Sequence, residues 1–68
     1  MMTLADYRKN AGYGTQEQFS LAAGVERGTV AKWEVGERYP RPQMLPMLAR
    51  LLKVSEGDII QAITAAKK

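Results

Sequence analysis

The sequence predicts an all-α fold, a single compact domain of five short helices. Apolar residues recur every three or four positions, which is the helical period, and no segment alternates as a strand would. Residues that start and stop helices punctuate the chain at short intervals. A length of 68 residues allows one domain, spanning 1–68, and we expect its tail at 64–68 to fray.

The first two helices are bounded by glycine and threonine. The first covers residues 4–11 and ends at Gly12, a residue suited to a left-handed helix stop. Thr15 is the predicted N-cap of the second helix, residues 16–23, and Gln18 can complete a capping box by reaching back to the Thr15 amide. The sequence therefore predicts two helices separated by a turn.

The other three helices are predicted from similar signals. The third covers roughly residues 27–35 and is followed by a loop at 37–41. Pro42 suits the first position of the fourth helix, because the N–H that proline lacks would have no partner there. Ser55 and Asp58 form a second capping box, which opens the fifth helix.

The composition argues against an enzyme. The chain has no cysteine and no histidine, so it has neither a thiolate metal ligand nor the usual general base. A chain of this size buries only about 60% of its unfolded surface, which leaves little room for a substrate pocket. We expect no metal, no cofactor and no small-molecule ligand.

The sequence shows neither a signal peptide nor an apolar run near the roughly 18 residues of a spanning helix. We therefore expect a soluble, cytoplasmic protein without a membrane partner.

The positive charge is concentrated in the middle of the chain. The formal net charge is +3, but residues 27–53 alone carry six basic and two acidic side chains. The segments before and after them carry no positive excess. Such a distribution favours a polyanionic partner, although on charge alone a solvated face is an equally good interpretation.

The most informative segment is a pair of helices joined by a turn, about residues 16–35. Two helices that cross steeply need a small side chain where they approach most closely, and Ser20 supplies it. Gly24 lets the chain reverse without a Cβ clash. The apolar residues that would face the shared core are Phe19, Ala23, Val25, Val30 and Trp33. These features together predict a helix-turn-helix.

On these residues the sequence resembles the lambda-repressor-like helix-turn-helix family, the Cro/CI or XRE type. The resemblance covers about residues 3 to 63, and its pieces are close to those of small lambdoid phage repressors and Cro proteins. The matching stretches are R-x-x-x-G at 8–12, T-Q-E-Q-F at 15–19, A-G-V at 23–25, T-V-x-K-W-E-x-G at 29–36, R-P-x-x-L-P-x-L-A at 41–49 and V-S-x-x-D-I-I at 54–60.

The resemblance implies a five-helix lambda-repressor-like domain whose third helix enters the major groove of DNA. The residues that would face the bases are Glu26, Arg27, Gly28, Thr29 and Lys32. Arg27 and Lys32 can donate to the O6 and N7 acceptors of guanine, although each has a phosphate contact as its alternative. Glu26 can accept from cytosine or favour the helix dipole. Gly28 departs from the small polar residue usual in the family.

The resemblance also implies a set of phosphate contacts around the third helix. Gln16 matches a glutamine that clamps the DNA backbone, and the exposed amides beside it favour an anion. The residues expected to contact phosphate are Thr15, Gln16, Arg38, Tyr39, Arg41 and Gln43. Arg50 and Lys53 are expected on the solvated side of the fourth helix instead.

Other residues are expected to stabilise the fold. Arg8 and Glu34 match positions that form an ion pair between the first and third helices of lambdoid relatives, and we expect the pair here, partly buried. Trp33 could stack on a base, but its helical spacing from Val30 favours the core.

The function that the resemblance implies is a sequence-specific transcriptional regulator, most simply a repressor, encoded by a bacterium or a phage. It would bind a palindromic operator in double-stranded DNA as a homodimer, with Tyr39, Ile60 and Ile63 as candidate dimer contacts. The alternative is an antitoxin-like interaction module, which binds DNA mainly in complex with a partner protein.

Overall fold

The computed structural model describes residues 2–67, which form five α-helices and no strand. A 3₁₀ turn precedes the fourth helix. The helices are α1 (Leu4–Asn10), α2 (Gln16–Ala23), α3 (Arg27–Glu34), α4 (Leu45–Leu52) and α5 (Glu56–Ala66), and the 3₁₀ turn is Pro42–Met44. The all-α prediction is confirmed.

Capping boxes open three of the five helices. Those of α2 and α5 begin at Thr15 and Ser55, as the sequence indicates. A third begins at Thr3, whose hydroxyl accepts from the Asp6 amide at 3.0 Å. In return the Asp6 carboxylate accepts from the Thr3 amide, and this hydrogen bond lowers the pKa of Asp6. Three helices therefore begin with their first-turn amides partly satisfied by their own sequence.

Prolines divide the fourth predicted helix into two parts. Pro42 begins a 3₁₀ turn, and the Leu45 amide donates to the Pro42 carbonyl in the three-residue pattern. The α-helical bond to that carbonyl would come from Pro46, which has no N–H. The α-helix therefore begins only at Leu45.

All five helices contribute to one core. Trp33 is buried among them, as its spacing indicates. Tyr13 packs edge-on against Phe19, with ring centroids 5.3 Å apart. The buried hydrophobic residues are Leu4, Phe19, Ala23, Val30, Trp33, Leu48, Leu52, Ile59, Ala62 and Ile63. Arg27, Gly28 and Lys32 on α3, and Arg38 and Arg41 in the loop after it, are exposed.

The chain after Ile63 is helical for three further residues. Helix α5 continues to Ala66, and Lys68 lies outside the described residues. Alanine is the best helix former, and the Thr64 hydroxyl is hydrogen-bonded to Tyr39 at 2.7 Å. Tertiary contact therefore supports the last turn of the helix.

A buried ion pair connects α1 to α3. The Arg8 Nε atom lies 2.7 Å from Glu34 Oε2, and the two side chains are only 7% and 9% exposed. The Arg8 Nη1 atom donates to the Tyr13 carbonyl, and Gln16 Nε2 donates to the other Glu34 oxygen at 2.8 Å. Four parts of the chain thus meet at one pair of charges.

We expect Arg8→Ala to destabilise the protein by about 3–5 kcal/mol, because the Glu34 carboxylate would stay buried without its cation. Urea unfolding measures this free energy. Lys9→Ala is the matched control, since Lys9 is an exposed cation on the same helix. A loss below roughly 1 kcal/mol for Arg8→Ala would show that the pair contributes no more than a surface salt bridge.

Candidate nucleic-acid interface

Helices α2 and α3 form the helix-turn-helix that the sequence predicts. Gly24 ends α2 in the left-handed conformation, with φ of 72°, and the Val25 amide donates to the Ser20 carbonyl. Ser20 is buried, and its hydroxyl donates to the Glu17 carbonyl within α2. A small side chain whose hydroxyl is satisfied inside its own helix allows α3 to pack closely against α2.

The outer side of α3 presents polar and small residues. Glu26 is its N-cap and makes no side-chain capping bond, so its carboxylate is available to a ligand. Arg27, Gly28 and Lys32 are exposed, and Thr29 is half-buried. A Cβ built on Gly28 would meet no atom within 4 Å. The missing side chain therefore leaves bare backbone at the start of the helix.

Cationic residues from α3 and from the following loop line one open groove of about 280 Å³. Lys32 comes from the helix, and Arg38 and Arg41 come from the loop. None of the lining residues is acidic, and Trp33 and Met44 supply apolar surface. Thr29 and Tyr39 line the groove as well, so the structure brings together five predicted contact residues that lie up to twelve positions apart in the chain.

The loop that carries these arginines is held by its own backbone. The Glu37 and Arg38 amides both donate to the Lys32 carbonyl, at 2.9 and 3.4 Å. At the other end the Arg41 carbonyl accepts from the Met44 amide, and Pro40 is buried. The loop is thus anchored where it leaves α3 and where it enters the 3₁₀ turn.

At the start of α2 the side chains predicted for phosphate already have partners. The Thr15 hydroxyl accepts from the Gln18 amide at 3.1 Å, and Gln16 Nε2 donates to Glu34. Gln43 is exposed in the 3₁₀ turn but does not line the groove. An anion bound at the start of α2 can therefore accept from backbone amides, and also from the Thr15 hydroxyl and the second N–H of Gln16 Nε2.

The candidate dimer contacts fare differently. Ile63 is completely buried in the core, so its assignment to a dimer surface is wrong. Ile60, one residue after the buried Ile59, is half-buried, and Tyr39 is 40% exposed. The spacing of Ile59, Ile60 and Ile63 allows more than one of them to face the core. Only the position of α4 in the structure shows which ones do.

The structure also shows exposed residues and a long-range contact that the sequence did not indicate. Thr64 bonds to Tyr39 across 25 positions of the chain, a separation that no local signal spans. Val35, just after α3, is 58% exposed, and Leu21 on α2 is 77% exposed. Because Val35 and Leu21 are apolar, the sequence gives no sign that they face outward.

Within residues 2–67, no helix is long and apolar enough to cross a membrane. Nor does that part of the chain bring three acidic residues close enough together to hold a metal ion.

A helix-turn-helix family model matches residues 4–59, from the first residue of α1 into α5. The chain belongs to this family, in its XRE/Cro/CI type. No curated protein and no solved structure matches it. Membership of the family makes the chain a helix-turn-helix domain of a class that binds double-stranded DNA and is typically not enzymatic.

Proposed function

We propose that the protein is a sequence-specific transcriptional regulator, acting as a repressor that occupies its operator. The observation that supports this function best is the cationic groove between α3 and the loop after it. This groove adjoins the outer side of α3, which carries exposed hydrogen-bond donors. Between the N-cap Glu26 and the last residue Glu34, the helix has no acidic side chain. Positive charge beside an exposed helix suits a major groove flanked by phosphates.

In this proposal the first turns of α3 read the bases. Arg27 and Lys32 donate to guanine, and Glu26 accepts from cytosine. Thr29 adds a hydroxyl at the edge of the cationic groove of the protein. Gly28 carries no side chain into the open space before it, so the helix can approach the base edges closely at that point.

Phosphates on either side of the major groove would then be held from two directions. Arg38 and Arg41 reach one strand from the loop, with Gln43 next to them in the 3₁₀ turn. The backbone amides at the start of α2, next to Thr15 and Gln16, meet the other. These contacts set the position of α3 on the duplex without reading its sequence.

The small size of the domain supports a homodimer on a palindromic operator. The protomer measures 26 × 23 × 22 Å between Cα extremes, and one such module buries too little surface for high specificity. To read two half-sites one turn of DNA apart, such a dimer would have to hold its two α3 helices about 34–36 Å apart. Tyr39 and Ile60 are the remaining candidate contacts between the two protomers.

We expect Arg27→Ala to cost about 1–3 kcal/mol of binding free energy on the operator and to relax specificity at one base pair. The operator can be sought by footprinting the DNA upstream of the gene, and titration then gives the affinity. Equal weakening on operator and random DNA would contradict a base-reading role, because a phosphate contact acts alike on every sequence.

We expect Arg41→Ala to weaken binding to all sequences alike and to lower the slope of log affinity against log salt by about 1, since one phosphate contact is lost. Arg50→Ala is the matched control, because Arg50 is an exposed arginine on α4 outside the groove. An equal loss for the two variants would mean that general charge, and not the groove, holds the DNA.

We expect Ile60→Glu to abolish paired occupancy of the palindrome, because the introduced charges would face each other across the two-fold axis. Sedimentation with operator and half-site DNA measures the stoichiometry, and circular dichroism checks the fold. Gln61→Glu adds the same charge at the exposed neighbouring residue and serves as control. A stable complex with a neighbouring gene's product, without DNA binding by the chain alone, would instead favour the antitoxin-like alternative.

A further inference from the structure

We infer that the last turn of α5, together with Lys67 directly after it, positions the DNA-contacting arginines without touching DNA itself. The arginine loop is defined here as residues 35–41, and the brace as residues 64–67. The inference rests on the proposed function, because the role of the loop in binding is part of that proposal. Three contacts between the brace and the loop support it.

The first two contacts involve Tyr39, in the middle of the arginine loop. Its hydroxyl lies 2.7 Å from Thr64 Oγ1, a hydrogen bond in which either group can donate. The Lys67 Nζ atom lies 5.8 Å from the centroid of the Tyr39 ring, within the range of a cation–π contact. Tyr39 is therefore held at its hydroxyl by the last turn of α5 and at its ring by Lys67, which directly follows the helix.

The third contact is between backbones at Gly36. Its φ of +79° is left-handed, and a Cβ there would lie 2.6 Å from Lys67 N and 2.7 Å from Lys67 Cα. Both of those atoms are backbone and cannot rotate away. Gly36 is buried as a result, although it belongs to a surface loop. Only glycine allows the loop and the end of α5 to meet so closely.

These contacts flank the arginines. Arg38 lies between Gly36 and Tyr39, and Arg41 follows the buried Pro40. A loop held in advance loses less conformational entropy when it meets DNA, so its contacts contribute more to affinity. The brace therefore raises the affinity for DNA by ordering the arginine loop before DNA binds.

Tyr39 is accordingly a positioning residue in this proposal, and not the direct phosphate contact that the resemblance suggests. If its hydroxyl donates to Thr64, no proton is left for a phosphate oxygen. Thr64 distinguishes positioning from direct phosphate contact, because it is exposed on α5 and does not line the cationic groove. A direct contact depends on Tyr39 alone, whereas the brace depends equally on both hydroxyls.

The test compares Thr64→Val, Tyr39→Phe and the double variant on operator and random DNA. We expect each to bind about threefold to tenfold more weakly on both DNAs, the range expected for one lost hydrogen bond. The double variant should be no worse than either single one. Thr64→Ser keeps the hydroxyl and should restore binding. An unchanged affinity for Thr64→Val beside a weakened Tyr39→Phe would overturn the brace.

Hydrogen exchange of the Glu37 and Arg38 amides provides a measurement that needs no DNA. Both amides are bonded to the Lys32 carbonyl, and we expect both to exchange faster in Thr64→Val while core amides stay unchanged. If the wild-type protein bound no DNA, the proposed function would fail, whereas faster exchange would still show that the brace orders the arginine loop. Unchanged exchange would overturn it.

Gly36→Ala tests the backbone contact, with Gly12→Ala as its matched control. Both glycines have positive φ, but a Cβ at Gly12 would meet nothing within 4 Å. The two variants therefore share the conformational cost, and only Gly36→Ala displaces the end of α5. We expect faster loop exchange and weaker DNA binding for Gly36→Ala alone. The same behaviour in both variants would contradict a specific contact.

Discussion

The arrangement of the first three helices depends on the buried pair of Arg8 and Glu34. A carboxylate and a guanidinium that are both more than nine-tenths buried must be paired and hydrogen-bonded, because neither can recover its hydration. Gln16 and the Tyr13 carbonyl complete their partners. Since Glu34 is the last residue of α3, the pair fixes the end of the helix that the proposal places in the major groove.

That constraint explains why the start of α2 has two tasks. Gln16 stabilises Glu34 through one N–H of its side-chain amide, so it can still offer an anion its backbone amide and its second side-chain N–H. The same residue therefore connects the interior of the domain to the surface proposed for DNA. On the far side of α3, the arginine loop depends on Lys32 and on the brace. Both ends of the interface are thus built on contacts inside the protein.

Much of the helical framework could be predicted because its causes are local. Thr15, Gln18 and Gly24 bound α2 through groups only a few positions apart, and the T-x-x-D box at Thr3 carries the same signal for α1. The 3₁₀ turn at Pro42 could also be predicted from the sequence, because Pro46, four positions later, has no N–H to donate to the Pro42 carbonyl. The base and phosphate contacts proposed here came from resemblance, and they remain proposals.

The sequence by itself determined the all-α class, the helix-turn-helix and the concentration of positive charge in residues 27–53, because caps, helical period and composition act over a few neighbouring residues. Only the tertiary structure decided that Ile63 is buried and that Tyr39 bonds to Thr64. It also decided that Gly36 packs on the backbone of Lys67, thirty-one positions later. These contacts depend on how whole helices pack, and no signal confined to one helix contains that information.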